Sequence, residues 1–181
     1  NENPDMTLQT IEGDSTFVKE LLTDGKCDIA FLRSESSSVK EFNSIPYMID
    51  YLTAVLPATH PLAKADNLPF EQLRGETFLL FPEHSFINDL CIRECRNAGF
   101  EPHIAYTGNR GATLIDLVRN GAGITLMMHH SARQENDSSL AFIPVTPGIY
   151  SYISLNYAKE KPLSPQAESF VRYVKAHKRD F

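Results

Sequence analysis

The order of elements near the start of the chain limits its fold more than any other feature. "MTLQTI" (Met6–Ile11) combines β-favouring residues with partial alternation, and "GDS" then offers turn and cap chemistry. In "TFVKELLTDG", Phe17, Leu21 and Leu22 fall on one helical face, and Gly25 stands where a left-handed cap residue belongs. The apolar run "CDIAFLR" (Cys27–Arg33) follows as a second strand. Strand, cap, helix, glycine, strand is a βαβ unit. It implies a parallel sheet that must be covered on its faces.

The same plan returns in the middle of the chain. "YLTAVLP" (Tyr51–Pro57) reads as a strand stopped by Pro57 and Pro61, "HPLA" as a surface turn, and "LPFEQLRG" (Leu68–Gly75) as one short helix. "TFLLF" (Thr77–Phe81) is a buried strand, and "PEHS" is a turn in which His84 or Ser85 caps the helix "FINDLCIRECRNA". That helix ends at Gly99, and "HIAYT" (His103–Thr107), "ATLIDLVRNG" and "GITLMM" continue as strand, helix and strand. Two such runs predict two small α/β lobes in place of one large sheet. "LAFIPV" and "YSYISLNYA" are late strands after the polar loop "ARQENDSS", and a helix capped by Ser164 with Pro165 in its first turn closes the chain. No middle element claims this last strand and helix, so they are free to return to the first lobe.

Composition narrows the function. With 181 residues and 42% hydrophobic content the chain can bury a real core. A net charge of −6, from 17 basic and 23 acidic residues, argues against this chain gripping a nucleic-acid backbone. The one basic cluster, "KAHKRDF", reads as a solvated helix end whose cations suit the helix dipole. No apolar run reaches the roughly 18 residues of a membrane span, and no secretion signal is visible. Three cysteines suit a reducing compartment better than a disulfide framework.

Three loops leave strand ends and enter helices: Glu12–Thr16, Phe81–Phe86 and Thr107–Ala112. Ligands of open α/β sheets bind outside the strands' carboxyl ends, where helix N-termini offer free N–H groups to a carboxylate or phosphate. Ser15, Thr16, Ser85 and Asn109 add polar side chains there, each of which is equally suited to capping its helix. "GAGI" (Gly121–Ile124) follows a helix and opens a strand, the reverse of a nucleotide fingerprint, so its glycines serve the turn. His129 and His130 are adjacent and cannot easily share one metal; Cys91 and Cys95 lie four apart on a helix without a third ligand. No G-x-S-x-G elbow and no P-loop is present. The residues describe a binder with no catalytic group, no metal and no cofactor.

Five stretches together, "LLTDGKCDIAFLR", "LTAVLPATHPLA", "LPFEQLRGETFLLFP", "AGFEP" and "LIDLVRNGAGITLMM", occur in the order found in LysR-type transcriptional regulators, and the chain resembles their effector-binding domain over nearly its whole length. The resemblance implies an α/β fold like type 2 periplasmic binding proteins, with two Rossmann-like lobes joined by two crossing strands. Residues 1–50 and 150–181 would form one regulatory lobe and 51–149 the other. A small, anionic effector would bind in the interlobe cleft. Its contacts would come from Asp14, Ser15 and Thr16, from Glu83, His84, Ser85 and Phe86, from Gly108, Asn109 and Arg110, and from Met128.

Members of the family open with a winged helix-turn-helix and a linker helix outside these 181 residues, as are the first strand and helix of the first lobe. The first lobe is therefore expected to expose strand edges and apolar surface. DNA would be met only through the absent domain, by a cytoplasmic homodimer or homotetramer away from any membrane. Two other classes compete: a transporter's solute-binding protein, and an enzyme on this fold such as a prephenate dehydratase-like or tetrapyrrole-synthesis protein. The enzyme would lose turnover on changing Ser15 or Asn109.

Overall fold

The computed structural model describes residues 7–133 and 137–177. Met6, Gln134–Asn136 of the polar loop and Lys178–Phe181 of the basic cluster lie outside the described residues. The chain divides into two compact units, residues 1–49 with 151–181 and residues 50–150. The chain passes from one to the other twice, within one long strand and at the start of another.

In the first unit, helix α1 (Ser15–Thr23) is followed by strand β1 (Ala30–Ser34) and by the first half of β2 (Phe42–Pro57). Strand β8 (Tyr150–Ala158) lies between β1 and β2, antiparallel to β1 with Leu32 opposite Ser154. Alternation assigns the two faces. Ala30, Leu32 and Phe42 pack with Leu22 of α1, whereas Ile45 and Leu155 pack with Val171 and Val174 of the closing helix α5 (Pro165–Ala176). Residues 7–14 form no strand. A strand is defined by its partner, and none lies beside this segment among the described residues; Leu8 and Ile11 stay 63% and 50% exposed.

The second unit is a three-layer α/β sandwich. Its strands are β3 (Leu68–Pro69), β4 (Thr77–Leu80), β5 (His103–Thr107), β6 (Thr125–Met128), β7 (Leu140–Thr146) and the second half of β2, with β4 and β5 forming a two-stranded sheet of their own. β4 is parallel to β5 and makes one parallel bridge, Phe78 to Ile124, just before β6; β3 is parallel to β7, and β2 runs antiparallel to both β6 and β7. Leu52, Ala54, Leu56, Phe78, Leu80, Leu126 and Met128 face helix α2 (Phe86–Asn97) with its Leu90, Cys91 and Cys95. The residues between them, Val55, Leu79 and Met127, face Leu114, Ile115 and Val118 of helix α3 (Gly111–Arg119). A period of two along each strand thus builds two cores.

The surface stretch between β2 and β4 departs from its sequence reading. "HPLA" is a 3₁₀ turn (Pro61–Lys64) capped by His60, whose Nδ1 accepts from Leu62 N–H at 3.2 Å while Nε2 lies 3.3 Å from Glu76. "LPFEQLRG" is the short strand β3 and then one 3₁₀ turn, Phe70–Leu73, because Leu68 pairs with Val145 and draws the segment into the sheet. In "GAGI", Gly121 adopts φ +76, and a Cβ at Gly123 would collide with the Thr77 carbonyl oxygen that receives Ile124 N–H. Those glycines serve the turn and the close approach of β6 to β4. No described helix is long and apolar enough to cross a membrane.

Candidate functional site

Because β4, β5 and β6 are parallel, their carboxyl ends share one edge of the second unit. β2 runs the other way, so its entry at Asp50–Leu52 reaches the same edge, with Leu52 opposite Met128. The loops Phe81–Ser85 and Gly108–Arg110 leave this edge and enter α2 and α3.

The first loop is held firmly. Ser85 caps α2: its hydroxyl donates to Pro82 C=O at 2.7 Å and receives Asn88 N–H at 3.3 Å. Asn88, only 4% exposed, donates its amide to Phe81 C=O at 2.8 Å, so the loop is tied at both ends. Between these ties His84 adopts φ +64, a conformation that costs a non-glycine residue free energy. Glu83 and His84 are exposed, and Ser85 and Phe86 are half-buried.

The second loop is held at one point and open at the other. Gly108 N–H donates to Leu80 C=O at 3.0 Å, and a Cβ at Gly108 would strike the Tyr106 ring. Asn109 and Arg110 are exposed, and no side chain caps α3, whose first residue is Gly111. Its leading N–H groups face outward with the positive end of the helix dipole. An uncapped helix N-terminus of this kind favours negative charge in general.

Met128 is fully buried among the residues that face α2, so its side chain is occupied by core packing. The half-buried His129 follows at the end of that strand. It begins the single-turn helix α4 (His129–Ala132), stacks on Tyr51 with centroids 4.3 Å apart, and places Nδ1 3.3 Å from Thr53 Oγ1. Burial, with Arg133 nearby, lowers its pKa below 6.5. Asp50, 2% exposed, receives the N–H groups of Tyr51 and His130. The Tyr51–His129 pair was not legible in sequence, because it depends on the register of β2 against β6.

In the first unit Asp14, not Ser15, caps α1. One carboxylate oxygen accepts Thr16 N–H and Phe17 N–H, both at 2.9 Å. Ser15 is half-buried and Thr16 exposed. An anion at this terminus would therefore displace, or be repelled by, the Asp14 carboxylate.

The thiols of α2 lie on its core side. Cys91 and Cys95 are fully buried; burial holds the Cys91 thiol well above its ordinary pKa and pushes Cys95 up to about 12. In both, burial favours the thiol over the thiolate that would react. Among the described residues no three His, Cys, Asp or Glu side chains converge to hold a metal.

The chain matches the LysR substrate binding domain family over residues 1–179. It is 25% identical over 174 residues to the transcriptional dual regulator GltC of Bacillus subtilis (strain 168), covering 96% of this chain and 58% of GltC, so it spans little more than half of that relative. Among solved structures it resembles the regulatory domain of Synechocystis PCC6803 CcmR in complex with 2-PG, with TM-score 0.82, 16% identity and 93% and 81% of the two chains covered. It also resembles the effector-binding domain of QuiR in complex with shikimate, with TM-score 0.79, 18% identity and 98% and 84% covered.

Proposed function

The chain belongs to the LysR substrate-binding domain family, and from that premise we propose that it is the effector-sensing part of a transcription regulator. Its fold is that of the type 2 periplasmic-binding-protein class shared by LysR regulatory domains. The relatives are named as transcriptional regulators, which favours neither an enzyme nor a transporter's solute-binding protein.

The effector is a small anion. One observation carries this reading: the uncapped N-terminus of α3, with Asn109 and Arg110 exposed beside it at the carboxyl edge of the sheet. Shikimate, bound by the QuiR domain, carries such a carboxylate. Glu83 to Phe86 and Gly108 to Arg110 serve the effector on the second unit. Met128 supports this edge from the core, and Asp14 orders α1. Residues 1–50 with 150–181 and residues 51–149 act as the two regulatory lobes. Binding biases the arrangement of a homodimer or homotetramer in the cytoplasm, and a separate N-terminal domain meets DNA.

Calorimetric titration of the chain with shikimate and a set of small carboxylates and phosphate esters tests the proposal. A saturable ligand that weakens at least tenfold with Asn109→Ala and Arg110→Gln supports it. No ligand in the set, or one indifferent to both changes, overturns it.

A further inference from the structure

A concavity lies within the first unit, lined by Asn43 and by residues between Tyr157 and Lys175. It has a volume of about 380 Å³ and is formed where the end of β8 turns into α5. Four cations, Lys159, Lys161, Arg172 and Lys175, line it with two carboxylates, Glu160 and Glu168. In a chain of net charge −6, such a concentration of cations around one concavity is a local inversion of sign.

The four cations are not equivalent. Lys159 Nζ already donates to Lys40 C=O at 2.6 Å, and Lys161 Nζ sits 3.7 Å from Asp28. Arg172 and Lys175 have no ion-pair partner among the described residues, although Glu168 stands one turn before Arg172 on α5. They lie three apart on the helix, so both heads serve the same face. Beneath them Val171 is buried, and Tyr157 and Leu163 give the wall an apolar part. A planar donor fork, a mobile ammonium and a partly apolar wall around a volume of this size suit a small ligand bearing two negative charges.

We propose that this cavity is a second binding site, for a small dianion of the phosphate or dicarboxylate class. Arg172 and Lys175 hold the anion, and Glu168 limits its affinity by facing it with like charge. A dianion matches the two cations Arg172 and Lys175 charge for charge.

The test uses calorimetry on the 181-residue chain at low salt, with inorganic phosphate in one arm and succinate in the other. The expected result is saturable binding of at least one, weakened tenfold or more in the Arg172→Gln/Lys175→Gln variant and tightened in Glu168→Gln. Lys64→Gln, at an exposed cation of the second unit, leaves it unchanged. All of these side chains are exposed, and circular dichroism confirms that each variant is folded. Absence of saturation by either anion up to about 10 mM overturns the proposal. So does binding whose affinity is undiminished in the double variant or is lost with Lys64→Gln.

Discussion

Asn88 holds the loop that leads from β4 into α2, and its removal should be felt out of proportion to its size. Its amide donates to Phe81 C=O at 2.8 Å from a position only 4% exposed, and its own N–H donates to the Ser85 hydroxyl. Asn88→Ala keeps the helix and the N–H but leaves the Phe81 carbonyl without its amide donor. A buried group left without its partner costs about 1–3 kcal/mol. For a chain of 181 residues that corresponds to a fall in Tm of about 3–9 °C. The companion change Ser85→Ala removes the cap and should cost about 1 kcal/mol. Because both act on one loop, the double variant should cost less than the two single losses together. Differential scanning calorimetry gives the stabilities, and hydrogen exchange at the first amides of α2 gives the local opening. If Asn88→Ala matches wild type to within about 0.3 kcal/mol, while the exposed control Asp89→Ala does the same, the tie is not what orders the loop.

Three further outcomes follow from the packing and charge. Gly123→Ala forces a Cβ onto the Thr77 carbonyl oxygen and should destabilise the second unit by about 2–4 kcal/mol, read by urea unfolding; a loss below about 0.5 kcal/mol would contradict the close approach of β6 to β4. Native thiol labelling followed by mass spectrometry should modify the half-buried Cys27 first and reach Cys91 and Cys95 only on unfolding, whereas native-state labelling of Cys95 at the rate of Cys27 would refute its burial. Asp137 is held down to about 2 by the Ser139 hydroxyl and N–H and then by Arg119, so its contribution to stability is complete above its ordinary pKa of 3.8 and disappears as pH falls toward 2. Acid titrations of Asp137→Asn should show less loss in that window, and an identical acid profile would count against the Ser139 and Arg119 contacts.

What the residues revealed and what they withheld follows from the range of each interaction. The longer helices were legible because their signals are local: Ser85 and Ser164 cap where capping chemistry put them, and Gly121 ends α3, whereas the short helix expected at Leu68–Gly75 is a strand and a 3₁₀ turn. Pairing was not. The segment Thr7–Ile11 has strand composition and no strand, because a strand needs a neighbour that no local pattern supplies. β2 extends back to Phe42, although Pro46 and the polar Asn43 and Ser44 hide its first half. At the site, the loops at the carboxyl edge were legible from element order alone. The choice of Asp14 over Ser15 as cap was a matter of one residue in "GDS", and His84 at φ +64 has no sequence signature. Met128 looked available because it ends a strand. Alternation along β6 sends it to the core with Leu126, and His129 takes the edge.

The most direct test of the central claim is a ¹⁵N–¹H correlation titration of the chain with the anion found by calorimetry. The account predicts that the largest saturable shifts fall on the amides of Gly111, Ala112 and Thr113 at the open end of α3, with smaller ones at Glu83–Ser85, and that Arg110→Gln abolishes them together. Shifts that saturate elsewhere while the α3 amides stay still would contradict it.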